Sequence, residues 1–329
     1  MEDNRSNKAI EQDQTWDQFV RNISSETSFD DQWKFFQTNF ADRPETDGPP
    51  IAWSPGSQRD HTNLAQFMKQ FGVSDYVAMH KLSCSDRDGF WKSVVDHLGI
   101  EFSTEPNSVL NDSSDPKNPD WLQGAMLNIS DSCFSAPSDR PAVVTRKEGS
   151  AELETTTYGQ LERQVNRVAK GLKDHGFEAG DRIALYLPMT LECVVGYLGI
   201  IRAGCCAVSI ADSFSSEELG KRLDLAEAKG LITVDTQTRA GKKITMYPKA
   251  VEAGAPRTVV IPEEGVLSDA LREGDMTWQQ LVDNDGDCES IAAHPYEPVN
   301  ILFSSGTTGT PKAIPWTHLT PIKAAMDGH

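Results

Sequence analysis

"DRIALYLPMTLECVVGYLGIIRAGCCAVSIADSFSSEELGKRLDLAEAKGLITV", residues 181–234, alternates short apolar runs with longer helix-like ones. "DRIALYLP" reads as a strand, the segment up to Arg202 as a helix, and "CCAVSI" as a second strand. "SSEELGKRLDLAEAKG" places Leu219, Leu223 and Ala226 on one helical face, and "GLITV" is a third strand. Strands separated by helices of ten or more residues need crossover connections, which makes the sheet parallel and buries both of its faces. The fold class is therefore α/β. Upstream, "ETTTYGQLERQVNRVAKGLKDHG" (154–176) aligns Leu161, Val165, Val168 and Leu172, with Thr157 as N-cap and Gly176 as terminator. Downstream, "RTVVIP" (257–262) continues the series. The alternation starts near Met126. The first 125 residues are irregular, rich in Asp, Asn, Ser and aromatic side chains, apart from a short amphipathic helix in "DGFWKSVVDHLGI" that ends near Gly99.

The series closes on "VNILFSSGTTGTPKAIPWTHLTPIKAAMDGH", residues 299–329. "VNILF" reads as a buried strand, "SSGTTGTPK" as the loop at its carboxyl end, and a helix is expected from about Thr317. Ligands of open α/β sheets bind at such loops. Gly306 and Gly309 let the backbone turn tightly, so that successive N–H groups converge as an anion nest. Ser304, Ser305, Thr307, Thr308 and Thr310 add hydroxyl donors, and Lys312 adds a compact positive charge. A hydrogen bond to a charged group contributes about 1.5–3 kcal/mol, so these residues together are suited to a polyphosphate. A Walker loop needs Gly-Lys-Ser/Thr, whereas here Pro311 precedes the lysine and Ala313 follows it.

Composition narrows the function classes. With 49 acidic and 31 basic side chains the chain carries a net charge of −18, which argues against a general nucleic-acid or membrane-surface binder. Nine carboxylates between Glu263 and Glu289 face only Arg272, the pattern of a solvated loop. The six cysteines form no Cys-x-x-Cys pair and the start "MEDNRSNKAIEQDQ" lacks the order of a secretory signal, so a reducing compartment is expected. The longest apolar run, Cys193 to Ile201, is too short for a membrane span. No Gly-x-Ser-x-Gly and no His-x-x-x-His spacing occurs, which removes serine-hydrolase and zinc readings.

"FSSGTTGTPK" closely resembles the phosphate-binding signature of adenylate-forming enzymes, the family of acyl-CoA synthetases, luciferases and peptide-synthetase adenylation domains. The resemblance implies a two-step reaction, in which a carboxylate is joined to AMP with release of pyrophosphate and the acyl group then passes to a thiol. It also implies ATP, CoA and Mg2+ as cofactors and a small carboxylic acid as substrate. "HKLSCSDRDGFWKSVVDHLGIEF" with "NPDWLQGAMLNISDSC" is similar to the amino-terminal region of acetyl-CoA synthetase-type enzymes, through Phe90-Trp91, Trp121 ahead of Gly124-Ala125, and Asn128. "TRAGKKITMYPKAVEAGAPRTVVIP" looks like the segment that contacts the 3′-phosphate end of CoA in those enzymes. Arg239 and Lys242 are the CoA candidates on that match, with Ala240 in place of the usual first glycine. "PKAIPWTHLTPI" resembles plant peroxisomal acyl-activating enzymes and makes His318 and Trp316 candidates for a place beside the bound carboxylate.

The expected organisation is an acetyl-CoA synthetase-type extension over 1–125 and a partial AMP-binding domain over 126–329. The fold is then the incomplete large amino-terminal domain of an adenylate-forming enzyme, mostly parallel sheets flanked by helices. The family's adenine- and ribose-binding stretches, its magnesium-binding glutamate and its transition-state lysine have no counterpart here, so the chain alone is expected to be catalytically incompetent. Two alternatives stand beside this: a fragment that binds nucleotide, CoA or a partner without turnover, and an adenylating enzyme with another acceptor. The peroxisome is suspected from the resemblance, with the cytoplasm as alternative.

Overall fold

A computed structural model describes residues 6–48, 56–111, 119–263, 265–304 and 311–328. The chain divides into two compact units between Asp86 and Arg87.

The first unit is helical, where the sequence pattern suggested irregular structure. Its helices are Asn7–Arg21 (α1), Phe29–Phe40 (α2), Asn63–Gln70 (α3) and Tyr76–Ser85 (α4). Ser6, Ser28, Thr62 and Asp75 cap them, each side chain accepting from a backbone N–H in the first turn. Aromatic rings, in place of an aliphatic stripe, join α1 to α2: Trp16 meets Phe19, Phe35, Phe36 and Phe40, and Phe19 stacks on Phe35 at 3.9 Å between centroids. Buried Arg43 and Asp13 pair at 3.0 Å beside them.

The second unit opens with Arg87–Leu98 (α5), followed by the antiparallel pair Ser108–Asn111 (β1) and Asp120–Gln123 (β2). Pro141–Thr145 (β3) and Glu154–Thr157 (β4) form a second antiparallel pair. Then come Tyr158–Asp174 (α6), Arg182–Tyr186 (β5), Leu191–Arg202 (α7), Cys206–Ser209 (β6), Ser216–Ala226 (α8) and Gly230–Val234 (β7). A hairpin of Thr236–Arg239 (β8) and Lys242–Thr245 (β9) precedes Tyr247–Glu252 (α9), Arg257–Ile261 (β10), Met276–Thr277 (β11) and Trp278–Val282 (α10). Pro298–Ser304 (β12), Lys312–Thr317 (β13) and Leu319–Gly328 (α11) complete it.

Among the described residues the main sheet has seven strands in the order β11-β10-β7-β5-β6-β12-β13, all parallel except the last pair. The order reverses direction after β6, and right-handed crossovers then put α7 and α8 on opposite faces. Every residue of β7 is buried, as a central strand covered on both sides requires. The chief core gathers Val165, Val168 and Leu172 of α6, Ile183 and Leu185 of β5, and Leu219 and Leu223 of α8. A second core joins Val95 of α5, Leu122, Leu127 and Ile129 to Ile201, Val299 and Ile322. Thr157 caps α6 in a reciprocal box with Gln160, and Gly176 follows its end at φ +83°.

One expectation is corrected. The helix foreseen from Thr317 starts at Leu319, and the residues before it form β13, antiparallel to β12. Pro315 lies within β13, which is tolerated because β13 is the edge of the sheet.

Candidate functional site

The ends of the Gly- and Thr-rich loop are Ser304, the last residue of β12, and Lys312, the first of β13, directly opposite each other in the antiparallel register. Ser305, Gly306, Thr307, Thr308, Gly309 and Thr310 lie outside the described residues. The loop thus joins two strands as a hairpin, unlike a Walker loop, which runs into a helix. No helix directly follows the loop, and Lys312 at its far end is exposed.

The root of this hairpin is braced from below. Buried Asn300 of β12 accepts from the Ser209 hydroxyl of β6 at 2.9 Å. Burial foremost pushes the Tyr197 hydroxyl up to about 12. Phe303 packs near the Arg222 guanidinium, 5.5 Å from its ring centroid, while the same guanidinium lies 3.8 Å over Phe214. Arg222 is 5% exposed and donates from Nη1 to the carbonyl and carboxylate of Glu218 at 2.8 and 2.7 Å.

His318 is 3% exposed, in the turn between β13 and α11. The Ile129 N–H donates to its Nδ1 at 3.1 Å, which places the ring proton on Nε2. Burial lowers its pKa to about 4, so the ring is neutral near pH 7. Trp316 is half-buried and lies opposite Asn300 in the β12–β13 register. The neighbouring Asn128 is a buried node: Nδ2 donates to the carbonyls of Ile201 and Ile291, both at 2.9 Å, and Oδ1 accepts from the N–H and hydroxyl of Ser130. Trp91 and Trp121, read separately in the sequence, meet edge to face at 5.2 Å.

The second candidate pair closes the β8–β9 hairpin, with Arg239 opposite Lys242. Ala240 and Gly241 form the turn at φ +51° and +72°. Positive φ at both central positions is the hairpin turn whose twist suits the flanking strands. Alanine therefore keeps the backbone shape expected of a glycine, at a conformational cost of about 1 kcal/mol. Carboxylates fix the hairpin at both ends. At its base, buried Asp235 accepts from the N–H groups of Thr236, Glu263 and Ser268 at 2.6, 2.9 and 3.1 Å, and Glu263 accepts from the Thr238 N–H at 2.7 Å. At its tip, the Gly241 N–H donates to Glu148 at 2.8 Å and Arg239 lies 3.7 Å from Asp212.

Arg239, Thr238 and Gln237 form one wall of a cleft of about 740 Å³. Leu185, Leu187, Tyr197, Ser209 and Ile210 form others, at the carboxyl ends of β5 and β6. Through the Ser209–Asn300 bond this cleft adjoins the strand that carries the Gly- and Thr-rich loop, so both candidate sites occupy the same edge of the parallel sheet. Asp212, Glu148, Asn300 and Arg222 were not singled out by sequence. Asp212 alone had a signal, since it follows a strand at its ligand-binding end.

Residues 130–328 match the model of the AMP-binding enzyme family, and residues 76–133 match that of the acetyl-coenzyme A synthetase N-terminus. The chain belongs to the AMP-binding enzyme family. It is 39% identical over 311 residues to "Probable acyl-activating enzyme 18, peroxisomal" of Arabidopsis thaliana, covering 85% of this chain and 42% of the relative. It is 37% identical to hexanoyl-CoA synthase of Cannabis sativa, covering 85% and 43%. The solved acetoacetyl-CoA synthetase from Streptomyces lividans superposes with a TM-score of 0.75 at 29% identity, covering 82% of this chain and 44% of that one. The chain thus spans about two fifths of the length of the curated relatives it matches.

Proposed function

We propose that this chain supplies the phosphate-gripping and CoA-docking portion of an ATP-dependent acyl-CoA synthetase. The single observation that carries the reading is the hairpin loop whose ends, Ser304 and Lys312, face each other at the carboxyl edge of a parallel sheet. In the first step a carboxylate oxygen attacks the α-phosphorus of ATP and the bond to the β-phosphate breaks, releasing pyrophosphate. Lys312, the hydroxyls of Ser304 and Ser305, and the N–H groups of 306–310 hold the β- and γ-phosphates and stabilise the charge that develops on the leaving group. In the second step a thiol sulfur attacks the acyl carbon, the carbon–oxygen bond to AMP breaks, and the thiol proton leaves. Arg239 and Lys242 dock the phosphate end of CoA.

His318 and Trp316 stand in this reading beside the carboxylate. A ring held neutral by burial acts there as an Nε2–H donor and does not exchange protons near pH 7. Mg2+ accompanies the nucleotide in the reading, but the described residues gather no three His, Cys, Asp or Glu side chains able to hold a metal ion, and no residue of this chain is assigned to it. Residues 1–125 are assigned as the acetyl-CoA synthetase-type extension and 126–329 as the partial AMP-binding domain. Two relatives named as peroxisomal, the probable acyl-activating enzymes 18 and 17 of Arabidopsis thaliana, support a peroxisomal location. Among the described residues no helix is long and apolar enough to cross a membrane.

Calorimetric titration with ATP and with pyrophosphate tests the reading. Pyrophosphate is expected to bind, ATP no more tightly than pyrophosphate because no adenine or ribose contact is assigned to this chain, and Lys312→Gln to weaken the binding about tenfold, the loss of one charge-assisted contact. A folded chain that binds neither, or a Lys312→Gln variant with unchanged affinity, rejects it. A non-catalytic alternative stands beside this reading. It predicts the same binding without carboxylate-dependent exchange of labelled pyrophosphate into ATP by the longest product of the reading frame.

A further inference from the structure

The tip of the β8–β9 hairpin offers a phosphate three donors on this chain, the Arg239 guanidinium, the exposed Lys242 ammonium opposite it and the Gly241 N–H. The guanidinium and the N–H already face a carboxylate. Asp212 Oδ2 lies 3.7 Å from Arg239 Nη1, and Glu148 Oε1 accepts from the Gly241 N–H at 2.8 Å. Asp212 and Glu148 both line the cleft that ends at Arg239. They come from the loop after β6 and the segment between β3 and β4, so two separate parts of the fold converge on one turn.

The charge of Asp212 is felt inside the cleft. Behind burial, it is a cause that pushes up the thiol of Cys193, which lines the cleft, and it acts in the same sense on buried Tyr186, between the lining residues Leu185 and Leu187, whose hydroxyl is raised to about 12. Arg239 is 59% exposed and Asp212 19%, so the pair is accessible to a competing anion. A phosphate monoester carries close to two negative charges at neutral pH. To reach the guanidinium it must displace Asp212 or share the site with it, and like charges at that range oppose binding.

We propose that Asp212 is a specificity-determining residue that occupies Arg239 with an internal carboxylate, so that Lys242 alone is left to meet the 3′-phosphate and the cleft discriminates only weakly between CoA and its 3′-dephosphorylated form. Glu148 supports it by occupying the neighbouring N–H. The proposal rests on the CoA-docking reading above. Recognition of the acceptor then falls to the apolar walls around Leu187, Tyr197 and Ile210, which meet the part of the ligand that the two forms share.

The test is calorimetric titration of the 329-residue chain with CoA and with 3′-dephospho-CoA at fixed ionic strength. The expected wild-type affinities differ by less than about threefold. Asp212→Asn tightens CoA roughly threefold to fivefold, in line with an exposed charge pair, while 3′-dephospho-CoA moves less than twofold. Adding Arg239→Gln removes that gain. A wild-type preference for CoA above about tenfold overturns the proposal, as does an Asp212→Asn variant that shifts both ligands alike or neither. Circular dichroism of each variant confirms folding. If CoA binds and Arg239→Gln weakens it while Asp212→Asn is silent, only this proposal falls. If neither ligand binds to any folded variant, the docking reading falls and takes the proposal with it.

Discussion

His318 is a residue whose chemistry is set by where the chain hides it. An exposed imidazole titrates near pH 6.5, and here burial brings the value to about 4 while Nδ1 accepts the Ile129 N–H. The unfolded chain then binds a proton between those two values that the folded one does not. Stability rises with pH through that window and is lost as pH falls from about 6.5 towards 4. The full displacement corresponds to about 3 kcal/mol, at 1.36 kcal/mol per pH unit. His318→Asn keeps an acceptor near the Nδ1 position and deletes the titration. Urea unfolding at pH 6.5 and at pH 4.5 checks this: wild type should lose about 2–3 kcal/mol more than His318→Asn between the two. An equal loss in both would place the ring's proton affinity in the ordinary range.

At the scale of elements, helix packing can invert what propensity suggests. Gly171 sits inside α6, where alanine would ordinarily add up to about 1 kcal/mol of helix stability. A Cβ at that position would lie 2.0 Å from the carbonyl oxygen of Leu281 in α10, a backbone atom that cannot swing aside. Gly171→Ala is therefore expected to destabilise by at least about 2 kcal/mol through overpacking, measured as a lower urea midpoint with an unchanged slope. The rest of α6 was legible, because its apolar stripe and the Thr157 cap are local patterns that the tertiary structure merely uses. β13 was not legible. Pro315 and the helix-like run after it argue against a strand, and only the edge position in the sheet makes that proline harmless. The α1–α2 pair escaped for another reason: aromatic rings at helical spacing carry its apolar face amid many polar residues. The site divides in the same way. Arg239, Lys242 and Lys312 belong to contiguous motifs, whereas Glu148 meets Gly241 across 93 residues, a pairing that no local pattern encodes.

For the whole molecule, the question is which part of 329 residues can stand alone. Both hydrophobic core clusters of buried residues, one around the seven-stranded sheet and one joining α5 to α11, draw every member from Val95 onward. Before Arg87 the buried apolar side chains are Ala9, Phe67 and Met79 among the described residues. Hydrophobic burial is the main favourable term in folding, and among the described residues it is concentrated almost entirely in the second unit. A chain of residues 87–329 keeps α5, whose Val94 and Val95 are buried, and should unfold in one cooperative transition. Its melting temperature is expected within about 5 °C of that of the full chain, a shift equivalent to roughly 1–2 kcal/mol for a domain of this size. Residues 1–86 alone should melt broadly and earlier, since a small aromatic knot and one buried ion pair are set against the entropy of ordering four helices. Differential scanning calorimetry of both pieces and the full chain decides it. Loss of the cooperative transition in 87–329 would mean that the sheet unit draws essential stability from the helices before it.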